Sequence, residues 1–423
     1  MTSISSVLAA FAIILIDLFG RAGLDKVLAL TGGPSVVALW AQLQSVLDLV
    51  TAVALTGVLQ GLTVMIAQTN EPRNESILLR ATLKLGLGAS LAVALIVVMA
   101  ASPLATILTQ DRIAPDLFWL AALAGYIAII PSTLSSYWLG KHQQQRMLRL
   151  AVLTNTVLLL LAAGAWMELS LRELMWVQCI ALAVIGIVVW RKLQNLSGHK
   201  LLLPSAGQAD ETEYLHKLAR FVPVGLAIGI MSPVSMLLVR GILADTLSWD
   251  EVGFFQALWR SNEWVTATAA GVLSLIFLPR LSNTYGSARF WKELVRAGVM
   301  VLIPAVCLLL LIYFNQRTML ATLYDTRFTV SNMTAALFML GSGIRIVSWV
   351  FLFGLFAAHR TRLIVAGEIF SLPLYALLLW LFADGMTLER TALLYLVSYL
   401  AYLVFNVTGL LYSSRHPRMS GMH

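Results

Sequence analysis

Long apolar stretches follow one another along the chain, separated by short polar segments at near-regular intervals. A run of about 20 apolar residues is enough for a helix to cross the hydrocarbon of a bilayer. The pattern predicts about twelve such spans, near 6–30, 36–66, 78–108, 115–140, 148–167, 172–190, 215–243, 250–279, 288–314, 329–357, 361–383 and 389–413. A helix satisfies its own backbone polar groups in lipid. The expected fold class is therefore an all-α polytopic membrane protein.

Composition agrees. Of 423 residues, 59% are hydrophobic and 12% charged, whereas soluble domains carry roughly 25% charge. The net charge of +8 raises the question of nucleic acid, but its placement argues against that partner and for a lipid bilayer. The basic residues gather in alternate short loops: Arg73; Lys141, Arg146 and Arg149; Arg191, Lys192 and Lys200; Arg280, Arg289 and Lys292; Arg360 and Arg362; Arg415 and Arg418. The positive-inside rule makes these loops cytoplasmic, and both termini with them. Trp119, Trp138, Trp166, Trp190, Trp249, Trp291 and Trp380 are spaced as an interfacial belt. The two cysteines, Cys179 and Cys307, sit in apolar segments, so neither a disulfide nor a metal site is expected. The first apolar run carries Asp17 and Arg21 and reads as a span rather than a cleavable leader.

The chain also repeats itself. Val-Thr at 50–51 recurs at 265–266, Gly-Val-Leu at 57–59 recurs at 271–273, and Leu-Ala-Thr at 104–106 recurs at 320–322. This near-constant offset predicts two six-helix bundles of like orientation, related by a pseudo-two-fold axis along the membrane normal. The expected division is an N-terminal bundle over 1–193, a cytoplasmic linker over 194–213 and a C-terminal bundle over 214–423. Under this register Gln42 corresponds to Gln256 and Asp48 to Glu263, placing a carboxylate and an amide on the second helix of each half.

Charged and amide side chains inside the spans are the candidate chemistry, because an ionised group in lipid is costly unless it is paired or faces water. Asp17, Arg21 and Asp25 stand at i, i+4 and i+8, with Lys26 following. They read either as a cavity wall or as a self-neutralising ladder. Gln42, Gln44 and Asp48 mark span two, and Arg240 ends span seven, where it either faces the cavity or snorkels to the interface. Gln256, Arg260 and Glu263 share one face of span eight, with Asn262, Trp259 and Trp264 beside them. Cavity lining and an Arg260–Glu263 structural pair both fit that spacing. Arg345 and Glu368, deep in spans ten and eleven, fit a gate or a mutual pair. Pro223 and Pro233 are expected to kink span seven. No histidine cluster, phosphate loop or nucleophile elbow is present, so no enzyme is indicated.

Ser-Trp-Asp-Glu-Val-Gly at 248–253, Leu-Pro-Arg-Leu-Ser at 278–282, Gln-Gly-Leu-Thr-Val-Met-Ile-Ala-Gln at 60–68 and Ala-Gly-Glu-Ile at 366–369 resemble the Wzx-type lipid-linked oligosaccharide flippases. The resemblance covers nearly the whole chain. It implies the fold of the multidrug/oligosaccharidyl-lipid/polysaccharide (MOP) exporters, MATE-like, in a bacterial inner membrane. It implies an undecaprenyl-diphosphate-linked oligosaccharide as cargo, such as an O-antigen or enterobacterial common antigen unit. A polysaccharide polymerase and a chain-length regulator would be partners. On this reading guanidinium groups bind the diphosphate, amides and indoles meet the sugar, and an intramembrane carboxylate offers coupling to a proton or sodium gradient. A multidrug antiporter of the same superfamily and a membrane glycan polymerase are the alternatives. Arg21→Ala and Arg260→Ala are each expected to block surface glycan display while membrane insertion, read by immunoblotting of membranes, stays normal. Normal display in both variants would remove these two residues from the site.

Overall fold

The computed structural model describes residues 4–69, 71–197, 208–219 and 222–415. Both chain ends, much of the expected linker, and His199, Lys200, Arg418 and His423 lie outside the described residues. All regular structure among the described residues is helical. The chain forms two compact units, residues 1–237 and 238–423.

The first unit opens with α1 (Ile4–Val53), which runs through the first two predicted spans. It is broken at Gly33, whose φ of 79° lies in the left-handed region that glycine enters without a Cβ clash. Pro34 follows and cannot donate a helical hydrogen bond. A π-helical turn at Ala54–Val58 leads into α2 (Leu59–Gln68). Next come α3 (Pro72–Met99), α4 (Ala101–Thr109), α5 (Pro115–Gly140), α6 (Gln144–Trp166), α7 (Leu171–Ser197) and α8 (Gln208–Ala219). Helix α9 (Val222–Thr246) contains the division between the units.

The second unit continues with α10 (Trp249–Val272), a second π-helical turn at Leu273–Phe277 and α11 (Leu278–Thr284). It is completed by α12 (Arg289–Phe314), α13 (Gln316–Leu323), α14 (Asn332–Ala357), α15 (Thr361–Glu368), α16 (Leu372–Leu381) and α17 (Leu388–Arg415). Among the described residues, ten helical segments are long and apolar enough to cross a membrane. The segment from Ala12 to Gln68 counts twice because of the break at Gly33, and the more polar run from Trp249 to Thr284 adds one. Twelve crossings result among the described residues. Each half carries its π-helical turn on its second crossing, which adds a structural mark to the repeat.

The expected boundaries need three corrections. Spans three and eleven are each interrupted, at Ala100 and at Ile369–Ser371. The region before span seven holds α8 as a separate helix packed on α3, with Leu218 buried and an ion pair of 2.5 Å between half-buried Lys84 and the buried Glu211 carboxylate of α8. Pro223 falls in the first turn of α9, where its missing N–H costs no helical bond, so Pro233 is the only one of the two inside the helix.

Apolar side chains cover the outside as well as the core, as lipid solvation demands. On α12, Val295, Val299, Met300, Ile303 and Val306 are exposed at helical spacing, while Leu294, Ala297, Val301, Ala305 and Leu309 are buried. In the tryptophan belt Trp119, Trp166, Trp291 and Trp380 are exposed, but Trp138 and Trp249 are buried. Trp249 is the first residue of α10, and its placement follows from the cap. The Ser248 hydroxyl accepts from the Glu251 N–H (3.2 Å) and the Glu251 carboxylate accepts from the Ser248 N–H (3.1 Å). That capping box fixes the start of the most polar transmembrane helix. Outside the spans, the Arg327 guanidinium hydrogen-bonds Asp325 and holds its carboxyl below the ordinary range.

Small residues let helices meet closely, the means of association that lipid leaves available. At Gly125 on α5 an added Cβ would stand 2.8 Å from the Leu47 carbonyl oxygen and 2.9 Å from Val50 Cβ on α1. At Gly341 on α14 it would stand 2.5 Å from the Tyr395 ring on α17. Gly125→Ala must push backbone apart. It is expected to lower stability by about 1–3 kcal/mol, read as a reduced midpoint in detergent thermal unfolding. An unchanged midpoint would show that the α1–α5 contact is looser than drawn.

Candidate functional site

The membrane-embedded polar groups of the first unit are mostly committed to partners. Arg21 Nε donates to Asp17 Oδ2 at 3.0 Å, and both side chains remain more than 40% exposed. The ladder reading thus describes this pair, and the pair stays accessible. Asp25 is buried one turn further on, and Lys26 is half-buried. Asp48 is exposed. Gln42 is fully buried and its amide donates to the carbonyls of Leu108 (3.1 Å) and Leu237 (3.3 Å). It ties α1 to the end of α4 and to α9, and is not presented to a ligand. Gln44 and Gln178 exchange amide hydrogen bonds of 3.0 and 3.3 Å between α1 and α7, which removes Gln44 from the sugar-facing set.

The second unit concentrates the chemistry. Arg240 is buried rather than snorkelling, and its Nε donates to Gln256 Oε1 at 2.9 Å. Gln256 and Gln42, equivalent under the repeat, are thus both buried packing amides. Asn262 is also buried, its Nδ2 donating to the Leu258 carbonyl at 3.1 Å. Arg260 and Glu263 do form the i, i+3 pair at 3.1 Å, the arginine being the less exposed partner.

Arg345 and Glu368 do not pair with each other. Glu368 closes α15 and accepts from the Tyr402 hydroxyl on α17 (2.9 Å) and from the Ser371 hydroxyl (3.3 Å). The helix interruption at Ile369–Ser371 brings that serine back to the carboxylate. Arg345 on α14 sits instead among aromatic faces, its guanidinium carbon 4.7 Å from the Trp349 ring centre and 5.4 Å from those of Trp259 and Tyr399. Cation–π contact of this kind attracts a guanidinium to the ring face. Trp259 itself is buried against Phe255, Phe338 and Tyr395, which settles its role as packing.

Apart from Trp259, the residues that build this cage were not singled out from the sequence. Tyr395, Tyr399 and Tyr402 line one face of α17, each at most 1% exposed, with Asn406 continuing the stripe and donating to Ser348 Oγ at 2.8 Å. Tyr395 stacks on Phe338 at 4.5 Å, with the rings within 6° of parallel. The signal was available as phenols and an amide at i, i+4, i+7 and i+11 in an otherwise apolar helix, since buried hydroxyls need partners. Trp349 offered a weaker cue, one turn beyond Arg345. Among the described residues no group of histidine, cysteine or acidic side chains is arranged to hold a metal.

The fold is that of the MOP-superfamily transporters. The chain superposes on an inward-facing multidrug resistance MATE family transporter of that superfamily with a TM-score of 0.66, at 12% identity, covering 95% of this chain and 94% of the other. It superposes on the lipid II flippase MurJ in an inward closed conformation with a TM-score of 0.66, at 12% identity, covering 98% and 90%. In sequence it is similar to the lipid III flippases of Escherichia coli K12 and Shigella flexneri, 23% identical to each over 397 residues, 89% of this chain and 90% of theirs. No family model matches the chain. Its apolar helices and these relatives mark it as a multi-pass protein of a bacterial inner membrane.

The reciprocal amide pair gives a clean stability test. Gln44→Leu strands the buried Gln178 amide and Gln178→Leu the half-buried Gln44 amide, and each is expected to cost about 1–3 kcal/mol. The double variant should recover much of that loss in a thermal-unfolding double-mutant cycle. Simple additivity of the two losses would show that the amides act independently.

Proposed function

We propose that the protein is a flippase that carries an undecaprenyl-diphosphate-linked oligosaccharide from the cytoplasmic to the periplasmic leaflet by alternating access. Similarity to lipid III flippases along 89% of the chain carries this reading, and a fold shared with a lipid II flippase supports it. The cargo's diphosphate and sugars cannot cross hydrocarbon unaided. The candidate contacts are the accessible Asp17–Arg21 and Arg260–Glu263 pairs, Asp48, Arg345 and Glu368. Charge-assisted hydrogen bonds from guanidinium to phosphate would give the site its strongest contacts. No bond is made or broken, and a titrating carboxylate would supply coupling to a proton or sodium gradient.

The MATE-like fold favours one further reading, transport of soluble organic cations. Reconstituted protein separates the two. Proteoliposomes are expected to move a fluorescent polyprenyl-diphosphate oligosaccharide to the opposite leaflet, read by loss of lectin or enzyme accessibility, and to leave ethidium gradients unchanged. Ethidium transport without glycolipid movement would overturn the flippase reading. A glycolipid rate that is the same with and without imposed proton and sodium gradients would remove ion coupling.

A further inference from the structure

We infer that Arg345, held in its aromatic cage, is the first contact for the diphosphate group of the cargo in the C-terminal unit. This rests on the flippase reading above and deepens it. Two of the other intramembrane arginines put forward from the sequence spend a donor on a carboxylate, Arg21 on Asp17 and Arg260 on Glu263. A third, Arg240, is buried against Gln256. Arg345 differs. Among the described residues no carboxylate lies within ion-pair distance of it. Its Nε is buried and makes no hydrogen bond. The nearby Glu368 is occupied by Tyr402 and Ser371.

Aromatic faces attract the guanidinium through its flat surface; Tyr395 hydrogen-bonds it and the Glu263 carboxylate attracts it from beyond ion-pair distance, so no carboxylate contact has to be broken for an oxyanion to bind. A cation placed in lipid without a contacting anion is costly, and an arriving diphosphate removes that cost. The cage also fixes the orientation of the side chain before the ligand comes. Phe338 stacks on Tyr395, and Tyr395 and Tyr399 pack edge-on at 4.8 Å, so the walls are themselves packed in place. Preorganisation of this kind reduces the ordering cost of binding. Arg345 and Trp349 remain half-buried while Tyr395 and Tyr399 are fully buried, so the cage is open on one side only.

The test is equilibrium binding to full-length protein in phosphatidylcholine nanodiscs. Three probes are used: undecaprenyl diphosphate, undecaprenol and inorganic pyrophosphate. Wild-type protein is expected to prefer undecaprenyl diphosphate over both others. Arg345→Gln should weaken binding of the diphosphate by at least about tenfold, with undecaprenol binding unchanged. Arg345→Lys should restore part of the loss, since it returns the charge without the flat two-pronged donor. Monodisperse elution and an unaltered unfolding midpoint certify each variant. If Arg345→Gln does not fold, Trp349→Leu carries the test, with an expected loss of about threefold. Wild-type affinity in a folded Arg345→Gln variant, or in folded Trp349→Leu when that variant stands in, overturns the assignment and leaves the flippase reading intact. A wild-type protein that does not distinguish undecaprenyl diphosphate from undecaprenol defeats the flippase reading, and this inference with it. Pyrophosphate binding as tight as that of the lipid would make Arg345 an ion site unrelated to a lipid cargo, and would also overturn the proposal.

Discussion

The cost of leaving a polar group unsatisfied in hydrocarbon governs this molecule. Water is absent from the bilayer interior, so each buried donor must find its acceptor within the protein. The chain meets that demand in three ways. Carboxylates answer Arg21 and Arg260. Carbonyls and amides answer Gln42, Gln44 and Arg240. Aromatic faces answer Arg345. The three solutions have different consequences. An amide bonded to the backbone carbonyl of another helix is a clamp, whereas Arg345 on its ring faces keeps a buried Nε without a hydrogen bond.

Backbone geometry follows the same constraint. Gly33, the π-helical turns at Ala54–Val58 and Leu273–Phe277, and the interruption at Ile369–Ser371 are places where the regular hydrogen-bond ladder is altered. At each, local groups absorb the change. The Thr56 hydroxyl returns to the Ala52 carbonyl at 2.6 Å within the first π-helical turn. The Ser371 hydroxyl bonds the Glu368 carbonyl at 2.7 Å at the interruption. Such irregularities concentrate in membrane proteins where helices must bend or open toward a polar path. One π-helical turn follows α1 and the other follows α10.

Sequence motifs that carried the family resemblance turn out to have mechanical roles. Ser-Trp-Asp-Glu-Val-Gly is a capping box that starts α10, and thereby sets the height of Arg260 and Glu263 along the helix. Leu-Pro-Arg-Leu-Ser opens α11 directly after the second π-helical turn, with Pro279 in the first turn where its ring is tolerated. Ala-Gly-Glu-Ile ends α15 and delivers Glu368 to Tyr402.

The class of protein, its all-helical crossings and the roster of intramembrane polar residues were legible in the sequence. Hydropathy and periodicity are properties of single segments and need no neighbour to be read. Which of those polar residues are free to act was decided only by tertiary structure. Gln42, Gln256 and Asn262 looked like sugar-facing groups and are buried, because Gln42 and Asn262 donate to backbone carbonyls and Gln256 accepts from Arg240. Arg345 and Glu368 looked like partners and are instead claimed by Trp349, Tyr399, Tyr402 and Ser371. Partner choice depends on which side chains a fold brings within hydrogen-bond reach, a distance of about 3 Å between residues tens of positions apart, and no local pattern encodes it.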